Sequence, residues 1–262
     1  MEIILNIFIF LFGLCVGSFL NVCIYRIPEG ESVVFPRSRC RECKHTIPWY
    51  DNIPLMSFIL LGRKCRFCKA KISSQYFTVE LLTGLLFLTL FVFYGTSLKF
   101  FIYSVLFSGL VIVTFIDMKY KEIPDRLNVP GIFIGIALSF AFPSLHGASS
   151  NVAGLVSSLE GALAGGGSIY ALGVLGYIIF KKEAMGFGDV KLMAMIGAFI
   201  GWKFAILTFF LAPFFGSVVG IWLKIKTGDS LIPYGPFLSL ASLVALLWGN
   251  RIFGYLFAGY VW

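Results

Sequence analysis

Long apolar runs separated by short polar segments dominate the chain. A membrane-spanning helix needs about 20 mostly apolar residues, and eight stretches fit or nearly fit that length. They cover residues 3–24, 76–95, 98–117, 128–143, 159–180, 189–201, 203–223 and 232–249. The fourth and sixth are short. The pattern predicts an all-α polytopic membrane protein with about eight transmembrane helices. One long polar interruption, residues 25–75, divides it into a first helix (1–24), a loop domain (25–75) and a membrane domain (76–262). The first run is read as a retained helix. Glu2 stands where a signal peptide carries its basic region, and no small-residue cleavage pattern follows. Residues 144–158 lack Lys and Arg and read as a loop or short interfacial helix, with His146 a solvated loop residue. The small residues of GALAGGGSIYALG (161–173) allow close helix packing. No internal repeat or low-complexity tract is evident.

Composition agrees with this reading. Of the 262 residues, 58% are hydrophobic and 13% charged, against about 25% charged in soluble domains. A water-soluble enzyme, a disordered chain and a secreted disulfide scaffold are thereby disfavoured. The net charge of +8 comes from a skewed placement of Lys and Arg. Of the 21 basic residues, all but Lys99, Lys203 and Arg251 fall on one side of the predicted spans, ten of them within 25–75. Cytoplasmic loops carry such an excess, which places both termini outside and residues 25–75 in the cytoplasm. The partner that explains the charge is the lipid bilayer, and nucleic acid is not expected.

The cytoplasmic loop holds Cys40-x2-Cys43 and Cys65-x2-Cys68. Paired CxxC knuckles at this spacing signal a tetrahedral zinc site with four thiolate ligands. The reducing cytoplasm disfavours the alternative of disulfides. With no fifth ligand in view the metal is expected to be structural, supplying folding energy to a segment too small and polar to build a core. His45 is expected to be a spectator. Cys15 and Cys23, in the first helix, are expected to be small packing residues.

Most of the 13 acids lie in loops or at helix ends. Asp117, which closes the third span after VIVTFI, and Asp189, which opens the sixth in GFGDVK, stand out. Ionisable residues at membrane depth are functional candidates. The third span runs outward-to-inward and the sixth inward-to-outward, so both acids lie near the cytoplasmic boundary. Two carboxylates held together cannot both ionise cheaply. Such a pair can activate a water and protonate a leaving amine. Gly186 and Gly188 are expected to supply backbone conformations closed to other residues and room for an extended substrate. An acid beside Lys119 or Lys191 can equally be half of an interfacial ion pair, and a proton or cation relay would use the same acids.

Six ordered strings resemble one family, the type IV prepilin peptidases: GSFLNVCIYRIP (17–28), the cysteine stretch (40–68), YFTVELLTG (76–84), FIDMKYKEIPD (115–125), AMGFGDVKLMA (184–194) and IPYGPFLSL (232–240). The family commonly has Pro where this chain has Phe77. The resemblance implies a GxGD intramembrane aspartyl protease of the bacterial inner membrane, with Asp117 and Asp189 as the catalytic pair. Such enzymes cut the basic leader from prepilins or pseudopilins and N-methylate the new terminus from S-adenosylmethionine. The cysteine domain is linked in the family to methylation and metal. By motif position Asp125 would orient Asp117 or read the leader, Lys191 would support the site, and Glu80 would be a structural ion pair or a substrate or cofactor contact. A GxGD protease of other substrates without methyltransferase activity, or a proton- or cation-conducting protein, remains the alternative. The four-cysteine domain counts against that other protease.

Overall fold

The computed structural model describes residues 2–181, 185–227 and 233–256. Lys182, Ala184 and Ile232, used above for charge and motifs, lie outside the described residues, as does the side chain of Lys224. The described chain is all-α, with eight helices: α1 (Glu2–Arg26), α2 (Met56–Leu60), α3 (Ser74–Tyr94), α4 (Leu98–Tyr120), α5 (Asp125–Ala141), α6 (Asn151–Phe180), α7 (Phe187–Thr227) and α8 (Gly235–Leu256). Six are long and apolar enough to cross a membrane, namely α1, α3, α4, α6, α7 and α8. The protein is therefore multi-pass. Large apolar side chains such as Ile3, Phe8, Leu163 and Ile178 stand exposed on these helices, as lipid-facing surfaces require.

The eight expected spans become six for two reasons. Helix α5 has 17 residues, below the usual spanning length. The sixth and seventh segments form one element, α7, of 41 residues. A straight helix of that length would measure about 60 Å, twice the roughly 30 Å hydrocarbon core. It is broken at Gly201, whose φ of 79° and ψ of 168° are not helical, at the end of the first of the two expected segments.

Two compact units emerge, Met1–Ile112 and Val113–Trp262, dividing within α4. In the first, α1 and α3 pack closely. A Cβ on Gly17 would lie 2.7 Å from the Glu80 Cα, and one on Gly13 would lie 2.9 Å from the Gly84 Cα. Small residues permit this backbone approach. Phe87 and Phe91 of α3 meet Phe100 of α4 edge-on. Cys23 is buried, as expected, whereas Cys15 is exposed, so packing does not account for it.

In the second unit α6 lies along α7. Bare backbone at Gly161 and Gly165 meets the carbonyls of Gly197 and Met193, as the small-residue run predicts. Helix α6 begins eight residues before the expected 159, capped by the Ser150 hydroxyl, which accepts the Ala153 N–H. Its early Ser158 points inward and donates to the Ala198 carbonyl at 2.8 Å, a second hydroxyl coming from Ser139 at 3.3 Å. These bonds serve a backbone acceptor next to the Gly201 break. His146 is not a solvated loop residue. Its Nε2 lies 2.8 Å from the Ser139 hydroxyl, and its ring would meet a Cβ on Gly201 at 3.1 Å.

Candidate active site and metal centre

Helix α4 ends one turn beyond Asp117, where Lys121 takes a positive φ of 56° and its N–H bonds the Asp117 carbonyl. The Asp117 side chain is 5% exposed. Its Oδ2 accepts the Gly235 N–H at 2.8 Å, at the start of α8. A helix N-terminus offers unpaired N–H groups and a favourable dipole to a carboxylate. A Cβ on Gly235 would sit 2.8 Å from that same oxygen, so a side chain there would crowd it. One turn away on each helix, Thr114 donates to Ser239 at 3.1 Å. The end of α4 is thus pinned to the start of α8.

Asp189 lies in the first turn of α7, and its N–H bonds the Gly186 carbonyl at 3.1 Å. Its Oδ1 is shut from solvent with no hydrogen-bond partner among the described residues, as is the Tyr234 hydroxyl. Asp189 is close enough to Asp117 and to Tyr234 for their charges to act on one another. The structure therefore brings together the two acids singled out from the sequence.

The two glycines before Asp189 work differently from expectation. Neither is among the glycines of positive φ, so unusual backbone conformation is not their contribution. A Cβ on Gly188 would stand 2.9 Å from the Ile123 Cβ, and one on Gly186 would lie 3.4 Å from Asp189 Oδ2. Their use is close approach to the loop after α4 and to the carboxylate. Asp125, in the first turn of α5, pairs with Lys191 at 2.6 Å, and the Lys191 ammonium also lies over the Phe187 ring at 5.1 Å. Glu80 is buried in α3 and accepts the Leu55 N–H at 2.8 Å. Among the described residues it has no cationic partner, so the ion-pair reading of Glu80 does not hold.

The contribution of Gly235 and Tyr234 was not read from the sequence. The signal was a Tyr-Gly-Pro string, since Pro favours the first turn of a helix. Asn128, fully buried with neither amide atom bonded among the described residues, was also missed.

In residues 25–75 the two knuckles are built alike. Lys44 N–H bonds the Cys40 carbonyl and Cys40 N–H the His45 carbonyl; Lys69 N–H bonds Cys65 and Cys65 N–H bonds Ala70. Lys44 and Lys69 both take positive φ, 57° and 61°. The sequence does carry a short repeat here, CRECKHTI (40–47) against CRFCKAKI (65–72). All four cysteines are free, and their sulfurs lie within 4.8 Å of one another. The Cys40–Cys68 sulfur separation is 3.7 Å, against about 3.8 Å for two thiolates on one tetrahedral zinc. The donor set therefore suits a metal ion. His45 is outside it and lies against the Phe67 ring, with centroids 3.6 Å apart and the planes tilted by 37°. Arg66, inside the second knuckle, holds Asp51 through two bonds of 2.7 and 2.6 Å, and this guanidinium keeps the Asp51 carboxyl below its ordinary range.

The helices and their two groups of polar residues define a multi-spanning membrane protein with a pair of acids, one buried and one half-buried, and a four-thiol cluster. Residues 11–94 match the bacterial peptidase A24 N-terminal domain and 104–221 the type IV leader peptidase family. The chain belongs to the type IV prepilin leader peptidase/N-methyltransferase family. Three relatives, each called a prepilin leader peptidase/N-methyltransferase, illustrate the match. A Myxococcus xanthus protein is 41% identical over 85% of this chain and 64% of its own length. A Stutzerimonas stutzeri protein is 37% identical over 92% and 89%, and one from Pseudomonas aeruginosa 36% over 92% and 90%. No solved structure matches.

Proposed function

We propose that the chain is an intramembrane aspartyl peptidase that removes the basic leader of type IV prepilins or pseudopilins and then methylates the new amino terminus. The observation that carries the first half is that Asp189 lies within electrostatic reach of Asp117, which the start of α8 holds in place. Asp117 lies near the C-terminal end of α4 and Asp189 near the N-terminal start of α7, so in oppositely directed helices they share one depth. A basic leader stays in the cytoplasm while the pilin's apolar helix enters the bilayer, which brings the scissile bond to that depth.

The pair holds one proton between them, which belongs to neither acid alone. The ionised carboxylate takes a proton from water as the oxygen attacks the scissile carbonyl carbon. The protonated acid donates its proton to the carbonyl oxygen. Collapse of the tetrahedral intermediate breaks the C–N bond and sends a proton to the leaving amine, leaving a leader carboxylate and a free pilin N-terminus. Asp125 and Lys191 would flank the substrate at the cytoplasmic mouth.

The topology that accompanies this reading counts α5 and both halves of α7 as membrane segments. It gives eight, with both termini outside, residues 25–75 cytoplasmic and the whole in the bacterial inner membrane. We assign a structural zinc ion to Cys40, Cys43, Cys65 and Cys68, supported by their spacing and free thiols. S-adenosylmethionine would supply an electrophilic methyl group to the pilin amine.

Mass spectrometry of a co-expressed pilin tests the reading directly. The mature N-terminus is expected to be cut and to be about 14 Da heavier, the mass of one CH2; an uncut pilin overturns the peptidase, and a cut, unmodified one the methyltransferase. Within the site, Gly235→Ala is expected to cost about 1–3 kcal/mol through overpacking. It should also slow cleavage more than that loss explains, because the methyl group displaces the N–H that holds Asp117. Melting in detergent and cleavage rate, measured together, check this.

A further inference from the structure

Glu80 is the buried acid that the peptidase chemistry leaves unused. It sits 7% exposed on a membrane-spanning helix, where an ionisable group with no partner is costly and marks a functional site. Its carboxylate accepts the Leu55 N–H at 2.8 Å, and Ser18 lies near enough to act on it. Two of the basic residues that line the same cavity are committed elsewhere. Arg26 donates to the carbonyls of Ser32 and Pro36 at 2.9 and 2.8 Å, and Arg41 lies over the Tyr25 ring at 3.1 Å.

Glu80 lines a cavity of about 450 Å3 beneath the cysteine knuckles, within the roughly 300–1,000 Å3 usual for small-molecule sites. Its wall includes Tyr25 and Tyr76, whose rings stack 5.5 Å apart, with Arg41 beside them and Ser18 next to the acid. Such a cavity joins a carboxylate with no ion-pair partner among the described residues, aromatic surface and basic side chains that include the Arg41 guanidinium. Those features suit a ligand that carries a positive charge, a flat heterocycle and a carboxylate of its own. Aromatic rings and a carboxylate both favour a bound cation.

We propose that this cavity holds the sulfonium methyl donor, with Glu80 facing its positive charge. This rests on the reading that the chain methylates with S-adenosylmethionine. On methyl transfer the carbon–sulfur bond would break and a carbon–nitrogen bond form to the neutral pilin amine, and the resulting ammonium would lose its extra proton to water. The sulfur leaves as a neutral thioether, so the attraction to Glu80 ends with the reaction and favours product release.

The test is calorimetric titration of the full-length protein in detergent with S-adenosylmethionine and with S-adenosylhomocysteine. Glu80→Gln keeps an oxygen for the Leu55 N–H, and unchanged metal content and melting temperature verify its fold. It is expected to weaken the sulfonium by about tenfold or more, the scale of a lost charged hydrogen bond, and the thioether by less than about threefold. Equal losses for both ligands, or none, overturn the proposal. So does donor affinity untouched by Glu80→Gln while a peptide with a free amino-terminal Phe loses its binding, which would give the acid to the acceptor amine. Photolabelling of the unaltered protein with an azidoadenosyl donor needs no variant. Label is expected between residues 18 and 80, and label only beyond residue 113 overturns the cavity. A protein that methylates pilin yet labels only there keeps the methyltransferase reading and loses this site. One that neither methylates nor binds donor loses both.

Discussion

Asp117→Asn and Asp189→Asn are each expected to lower leader removal by at least about 10³-fold, the scale of a lost acid–base pair. Both replacements are isosteric. An amide at position 117 still offers an oxygen to the Gly235 N–H, the bond that fastens α4 to α8. An amide in place of the Asp189 carboxyl removes a charge from a place where Oδ1 has no partner among the described residues. Neither change should therefore unfold the protein, and melting in detergent should stay within a few degrees. A proton relay would respond differently, since an unimpaired peptidase in either variant contradicts the dyad outright. The unaltered enzyme should also show a bell-shaped dependence of cleavage on pH. At low pH both acids are protonated and no base is left to take the water's proton. At high pH both are ionised and no acid is left for the carbonyl oxygen. A profile that rises to a plateau in either direction would contradict a shared proton.

Which of these features were legible in the sequence follows from the range of the signal. Apolar length is local, so α1, α3 and α4 fall within about three residues of their expected bounds, and the division between 201 and 203 coincides with the break at Gly201. Whether that break separates one span or two is not local, because it depends on which groups donate to the Ala198 carbonyl. The donors, Ser139 and Ser158, lie 59 and 40 residues away. The start of α6 was hidden for the same reason. A Ser- and Asn-rich stretch looks like a loop until Ser150 is seen capping a helix and Ser158 is seen facing its interior. The acids were visible as charges in apolar surroundings. Their partner Gly235 was not, since a glycine 118 residues from Asp117 carries no charge to notice. Glu80 shows the converse error. A carboxylate at a helix entry in a basic protein suggests an ion pair, yet the neighbouring arginines are spent on backbone carbonyls and an aromatic ring.

Serine in place of any of the four knuckle cysteines is expected to empty the metal site. Structural zinc in small cysteine domains is worth roughly 10–16 kcal/mol of apparent binding energy, and a neutral hydroxyl replaces a thiolate poorly at such an ion. Metal analysis should then fall to background. The structural consequence should be local and readable at Trp49. That residue opens the short 3-10 turn of Trp49–Asn52, which Asp51 ties to the second knuckle through Arg66. Cys65→Ser or Cys68→Ser should release this tie and shift Trp49 fluorescence, and at Cys40 or Cys43 the first knuckle should loosen instead. Cys40 and Cys65 also line the cavity beside Glu80, so metal loss should remove donor binding and methylation together. Asp117 and its bond to Gly235 belong to residues outside 25–75, and cleavage should therefore survive at a measurable rate. A metal-free variant with full donor affinity would separate the knuckles from the cavity and leave them a purely mechanical role. Loss of cleavage to the level of Asp117→Asn, with α-helical content intact, would instead mean that the leader is gripped by the cysteine domain before it is cut.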